Sequence, residues 1–236
     1  MDMNTPELIT SFKNPRIQFI RDLLASRKSR EENNVCVVEG VRLAEEAVRA
    51  GSLPQLVVFS DGLSSRGLAL VSSLQAKQVQ LVQVPNDLMA KISAMEADQR
   101  ILLVVEPTKA ILPDSLDFVV ILDGIKDPGN MGTILRSAAA AATQLVIITP
   151  GCVDVYSPKV LRAGMGAHFH LPIVAWAWAE INDQLKAQSE APGVYLAESS
   201  HGKPIWEFNL KKPSWLIIGS EAEGASADAR HAATDF

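Results

Sequence analysis

The sequence predicts an α/β protein made of two layered units in tandem. Three observations lead there. Near-continuous apolar runs of four to six residues recur between stretches of helical spacing, the pattern of buried strands joined by crossover helices. Hydrophobic residues make up 47% and charged residues 21% of the 236, with 6% aromatic, which suits cores of that kind. A run bracketed by prolines, from Glu106 to Asp114, breaks the alternation near the middle of the chain.

Asn14-Pro15 starts a first helix, in which Ile17, Ile20, Leu23 and Leu24 recur at helical spacing. Val35 to Val38 reads as a buried strand, and Gly40 leads into a helix that Gly51 closes. Leu56 to Phe59 is a second strand, followed by a helix over 63–74. Val79 to Val84 is a third strand, Pro85-Asn86-Asp87 starts another helix, and Ile101 to Val105 is the fourth strand. Residues 1–106 thus form a small three-layer unit, 107–116 a linker and 117–236 a second unit. The second unit continues with strand 118–122, helix 130–142, strand 145–149, helix 158–166, strand 171–174, helix 176–188, and strands 193–197 and 215–218. Ser157-Pro158 supplies the cap and first position of the helix over 158–166.

Net charge is −5, too acidic for a chain coated in nonspecific nucleic-acid-binding charge. Local balance differs. Between residues 12 and 30, Lys13, Arg16, Arg21, Arg27, Lys28 and Arg30 face a single acid, Asp22, and local patches decide where a polyanion docks. Cys36 and Cys152 lie far apart in apolar surroundings, which reads as buried thiols in a reducing compartment. Histidines at 168, 170, 201 and 231, with no Cys-x-x-Cys, lack metal-ligand spacing, so no metal is expected. No apolar run reaches the roughly eighteen residues of a membrane span. Asp2 and Glu7 at the N-terminus break any basic-then-apolar leader pattern, so the expected location is cytoplasmic.

Sheets of this kind bind ligands beyond the carboxyl ends of their strands. Three turns fall there: 123–132, 149–154 and 219–224. In the first, an apolar strand meets a polar glycine-containing turn that opens into a helix bearing Asn130 and Arg136. A helix start offers N–H donors and positive dipole, and a guanidinium can hold a phosphate bidentately. Asn130 is placed to cap that helix or to fix a neighbouring loop. In the third turn Gly219 and Gly224 bracket Glu221, an acceptor able to orient backbone N–H groups or an arginine, Arg136 being the obvious partner. Gly129-Asn130-Met131-Gly132 is neither a dinucleotide-binding glycine motif nor a Walker A loop, and Ser220 lies in no nucleophile elbow. His168 and His170, beside Phe169, read as structural or RNA-facing rather than catalytic.

Asp127-Pro128-Gly129-Asn130-Met131-Gly132-Thr133-Ile134-Leu135-Arg136 resembles the first signature motif of the SpoU/TrmH branch of the SPOUT RNA methyltransferases, and Ile218 to Gly224 resembles the second. Between them, Val155 to Ala167 is similar to the family's linking helix. Upstream, Ile9 to Pro15 and Val38-Glu39-Gly40-Val41-Arg42 resemble its N-terminal substrate-binding domain, whose fold is like ribosomal protein L30e. The resemblance implies a SPOUT-type sheet with a trefoil knot, a homodimer, and transfer of methyl from S-adenosyl-L-methionine to a ribose 2′-hydroxyl of ribosomal or transfer RNA. It implies that Asn130, Arg136 and Glu221 are site residues, and that Thr149, Ala197, Gly219, Glu221 and Gly224 border the cofactor. RNA would lie across Lys13, Arg16, Arg27, Arg30 and Arg162 toward Arg136. A guanidinium is a poor base, so positioning of a phosphate is the role expected of Arg136. Such enzymes continue with an Ile-Pro-Met turn and a Ser-Leu-Asn helix start, and nothing similar follows Ala233 to Phe236. The ending reads as a truncated sequence, with a non-catalytic RNA-binding homologue as the alternative.

Overall fold

The computed structural model describes residues 6–93, 100–198 and 202–236. Asp2 and His201 lie outside the described residues. The chain divides into two compact units, Met1–Pro107 with Tyr156–Phe169, and Thr108–Val155 with His170–Phe236.

The first unit opens with β1 (Glu7–Leu8), α1 (Pro15–Ala25) and α2 (Arg27–Asn33). Asn14 caps α1, its side chain accepting from the Arg16 N–H, with Pro15 in the first turn. Then follow β2 (Cys36–Glu39), α3 (Val41–Arg49), β3 (Leu56–Ser60), α4 (Ser65–Ala76), β4 (Gln80–Val84), α5 (Asn86–Ile92) and β5 (Ile101–Val105). The sheet order is β1-β4-β3-β5-β2. It is mixed: β5 runs antiparallel to β2 and β3, a reversal that βα alternation does not foretell. Both faces are buried, and the period of two divides the side chains between them. Cys36, Val38, Val57, Phe59, Ile101 and Leu103 face one core, while Val37, Leu56, Val58, Leu102 and Val104 face the other.

The second unit carries β6 (Phe118–Asp123), α6 (Pro128–Ala140) and β7 (Leu145–Ile148). The helix α6 begins two residues before Asn130 because Asp127 is its cap, accepting from the Asn130 N–H at 2.8 Å. Next come α7 (Pro158–Gly164) and a 3-10 turn at Ala167–Phe169, which belong to the first unit: Leu161 and Phe169 sit in its core. Ser157 caps α7 as expected, accepting from the Val160 N–H. The second unit resumes with β8 (Ile173–Ala175), α8 (Trp178–Ala187), β9 (Gly193–Ala197), β10 (Ser214–Gly219) and α9 (Ala227–Ala232). Its sheet, β8-β7-β6-β10-β9, is parallel at every pairing. Carboxyl ends of five strands therefore share one edge, and the central pair β6 and β10 finish in register at Asp123 and Gly219. Trp215 is wholly buried, its indole N–H donating to the Leu116 carbonyl at 3.1 Å.

Candidate active site

Parallel strands in register deliver two loops to the same place. The Asn130 side-chain amide, in the first turn of α6, donates to Glu221 Oε1 at 2.6 Å. Lys126 Nζ, one turn upstream, pairs with Glu223 Oε1 at 2.7 Å. Asn130, Glu221, Lys126 and Glu223 are all exposed, so the joined loops present hydrogen-bonding groups to solvent. Asn130 thus fixes the neighbouring loop, one of the two roles its place in the sequence allowed, and does so through Glu221. Arg136 stands two turns along α6 with an exposed side chain.

The loop after β10 is folded tightly on itself. Ser220 and Gly224 exchange two backbone hydrogen bonds, at 3.0 and 2.9 Å. Gly224 has φ +70°, in the region that favours glycine. At Gly219 a Cβ would stand 2.6 Å from the Ala225 nitrogen and 2.8 Å from its Cα, so the fold-back itself demands a glycine.

Beneath the loops lies Asp123, buried at the end of β6. Its Oδ1 accepts from the Thr149 hydroxyl and the Trp178 indole N–H, both at 3.1 Å, and its Oδ2 accepts from the Ser226 N–H at 2.7 Å. The Gly124 N–H in turn donates to Thr149 Oγ1. One carboxylate therefore ties the start of the first loop to the start of the second and to the segment just past the third. Sequence reasoning passed over Asp123 and Trp178; an acid ending an otherwise apolar strand was the available signal. Thr149 is buried and occupied by this network, leaving its loop backbone to border a ligand. Ala197 ends β9, paired with Ile218 beside Gly219, and lines a cavity of about 340 Å³ with Tyr195, Phe208 and Leu216. Cys152 is buried in the loop after β7, and burial pushes its thiol up from the ordinary value.

The cations expected to meet RNA have diverse fates. Lys13 is exposed; Arg16 pairs with Glu7, and Arg27 with Glu31 at 2.7 Å. Arg30 is buried, its guanidinium donating to the carbonyls of Leu23 and Leu24, so it leaves the set of surface cations. Arg162 lies 3.7 Å from the buried Glu39 carboxylate. His168 is fully buried in the 3-10 turn against Tyr156, a packing role, and begins no strand. Among the described residues no group of three or more His, Cys, Asp or Glu could hold a metal ion, and no helix is long and apolar enough to cross a membrane.

Two family profiles match the chain: the SpoU rRNA Methylase family over residues 117–236, and the MRM3-like substrate binding domain over 14–103. The mitochondrial rRNA methyltransferase 3 of Mus musculus is 36% identical over 78% of this chain, which spans 45% of that protein's length. The 23S rRNA (guanosine(2553)-2′-O)-methyltransferase RlmP of Bacillus subtilis is 29% identical over 93% of this chain and 84% of its own. Among solved structures, the SpoU methyltransferase AviRb from Streptomyces viridochromogenes in complex with AdoMet superposes with a TM-score of 0.81 at 28% identity, covering 94% of this chain and 87% of that one. A parallel sheet whose loops meet at Asn130 and Glu221, and a profile match across the whole segment that carries them, place the chain in the SpoU rRNA methylase family.

Proposed function

We propose that this chain transfers the methyl group of S-adenosyl-L-methionine to a ribose 2′-hydroxyl of RNA, ribosomal rather than transfer RNA. The observation that carries the reading is the Asn130–Glu221 bond, which holds two polar loops together over the carboxyl ends of β6 and β10. The residues present fit the cofactor. The fold-back over Gly219 admits no side chain there, and Thr149, Ala197, Gly219 and Gly224 bring backbone from two loops and the end of β9 to one rim. Bound there, the cofactor supplies an electrophilic methyl group on sulfonium.

The chain's own residues position the nucleophile. The ribose hydroxyl must approach the methyl in line and lose its proton, and holding that geometry supplies much of the rate. Arg136 holds the neighbouring phosphate through two parallel N–H donors. Asn130 and Glu221 fix the loop edges between which the sugar sits. The names of the relatives and the substrate-binding profile over 14–103 support ribosomal RNA. We extend the reading to an L30e-like first unit, a knotted cofactor cradle and a homodimer. Residues 234–236 turning back beside β9 support the cradle, and exposed Ile205, Trp206 and Leu210 offer a second copy an apolar surface. Two buried thiols, neither in a disulfide, suit a reducing compartment such as the cytoplasm.

Incubation with tritiated cofactor and either ribosomal or transfer RNA, followed by mapping of 2′-O-methyl positions, tests this. Label is expected in ribosomal RNA, lost about 100-fold or more with Arg136→Ala and at least tenfold with Arg136→Lys, which cannot bind bidentately. Full turnover by the lysine variant would remove bidentate holding, and absence of RNA labelling by the unaltered protein would remove the activity.

A further inference from the structure

A cleft of about 850 Å³ in the first unit contains none of the residues assigned to methyl transfer. Four guanidiniums line it, from Arg42, Arg66, Arg100 and Arg162, over apolar ground that includes Leu63 and Met165. None of the four belongs to the basic run at 12–30; they come from α3, α4, the start of β5 and α7.

Three of these side chains are held in place by the protein. Arg66 Nε donates to both oxygens of Glu45 at 2.6 Å, an interaction that raises the arginine's proton affinity and lowers the carboxyl's. Arg100 Nη1 donates to the Asp61 carbonyl at 2.5 Å, and Arg162 stands beside Glu39. Arg42 is different: exposed in the first turn of α3, it has no ion pair among the described residues. Met165 closes the rim with φ +48° and 58% of its surface open to water.

We propose that this cleft seats one unstacked nucleotide of single-stranded RNA, with Arg42 on its phosphate and the base lying against Met165 and a fixed guanidinium plane. The inference rests on the reading that the chain acts on RNA, and it moves the docking point away from α1 and α2. The volume lies within the roughly 300–1,000 Å³ of small-ligand sites, so it suits a nucleotide and not a duplex. Specific RNA recognition characteristically splays bases out of loops and stacks them on aromatic or guanidinium planes. Guanidiniums already held by carboxylates and carbonyls lose little freedom when a base arrives. On α2, Arg27 is paired with Glu31 and Arg30 turns inward onto α1 carbonyls, and neither lines this cleft.

The test measures anisotropy of a fluorescein-labelled, mixed-sequence 12-nucleotide RNA against the full chain at several salt concentrations. Arg42→Gln and Met165→Glu both alter exposed side chains, and their thermal melts are recorded to show that folding is kept. Each is expected to weaken binding at least fivefold, and Arg42→Gln to flatten the salt slope by about 0.7, one phosphate contact on a single strand. Arg27→Gln is expected to change affinity less than twofold. Binding within twofold of the unaltered protein in both cleft variants, or an equal loss in Arg27→Gln, overturns the proposal. So does displacement of the RNA by polyglutamate as effective as by unlabelled RNA, since charge alone would then explain the binding. Cofactor calorimetry separates the two readings: silence there with the RNA effects intact removes methyl transfer and leaves the cleft standing.

Discussion

Asp123 gathers donors from three separate segments, the Thr149 hydroxyl after β7, the Trp178 indole of α8 and the Ser226 N–H at the cap of α9. A buried donor left unmet costs about 1–3 kcal/mol, and of the three the Thr149 hydroxyl is buried while Trp178 and Ser226 are partly open to water. Asp123→Ala is therefore expected to lower unfolding free energy by about 2–3 kcal/mol, read in urea, with a shift in Trp178 fluorescence as its indole loses its acceptor. Asp123→Asn should recover only part, because its amide turns a donor toward one of the three donors. A loss below about 1 kcal/mol for the alanine variant would show the network to be ornamental to stability. Cys152 lies against the same strand end, its thiol donating to the Leu122 carbonyl at 3.3 Å, and burial raises it above the ordinary thiol value. The folded protein thus keeps this proton at pH values where the unfolded chain, near about 8.5, has begun to release it. Its contribution to stability is complete below that value and is lost as pH rises toward the folded one. At pH 9 iodoacetamide should label Cys152 far more slowly in the native protein than in urea, and equal rates would contradict the burial.

The loop after β10 behaves as an element in its own right, because its fold-back over Gly219 fixes where Glu221 points. A methyl at Gly219 would meet backbone of Ala225 and Gly224 at 2.6–2.8 Å, atoms that cannot swing aside as a side chain can. Gly219→Ala should cost about 1–3 kcal/mol in thermal or urea unfolding and move Glu221 off Asn130, with methyl transfer falling much further than stability. Wild-type activity in that variant would mean the fold-back does not set the site. This loop was legible in the sequence, since its glycines bracket an acid just after an apolar strand. So were the strands of both sheets, whose apolar runs leave few other structures, except β1, two exposed residues with no such run. The helix α2 was not: Arg-Lys-Ser-Arg-Glu-Glu-Asn has no apolar stripe. It is held instead by the Ser26 cap, the Arg27–Glu31 and Lys28–Glu32 pairs, and a guanidinium turned inward onto α1 carbonyls. For the same reason Arg30 looked like a surface cation. The register between β6 and β10, which sets Asn130 opposite Glu221, was not legible either, because sequence gives the loops but not how the strands that carry them pair.

On the scale of the whole molecule, the chain that builds the first unit is discontinuous. Its core includes Leu161 and Phe169, both nearly fully buried among residues such as Cys36, Val38 and Leu43, yet they follow Val105 by more than fifty positions. A division of the sequence at its proline-bracketed run therefore severs the unit from part of its own interior. Burial of a leucine or phenylalanine side chain contributes about 1.5–3 kcal/mol, so the two together approach a large share of a small domain's margin of about 5–15 kcal/mol. A fragment of residues 1–107 should accordingly melt well below the corresponding transition of the full chain and bind a dye that reports exposed apolar surface. Supplying 156–169 through a flexible linker at its C-terminus should restore much of the loss. In the full chain Leu161→Ala, which leaves a cavity against β2, should cost about 2–5 kcal/mol. Should the short fragment melt at the same temperature as the intact chain, or the alanine variant prove neutral, α7 would be a passenger on that surface. The measured difference between fragment and linked fragment then gives the strength with which the later segment is held.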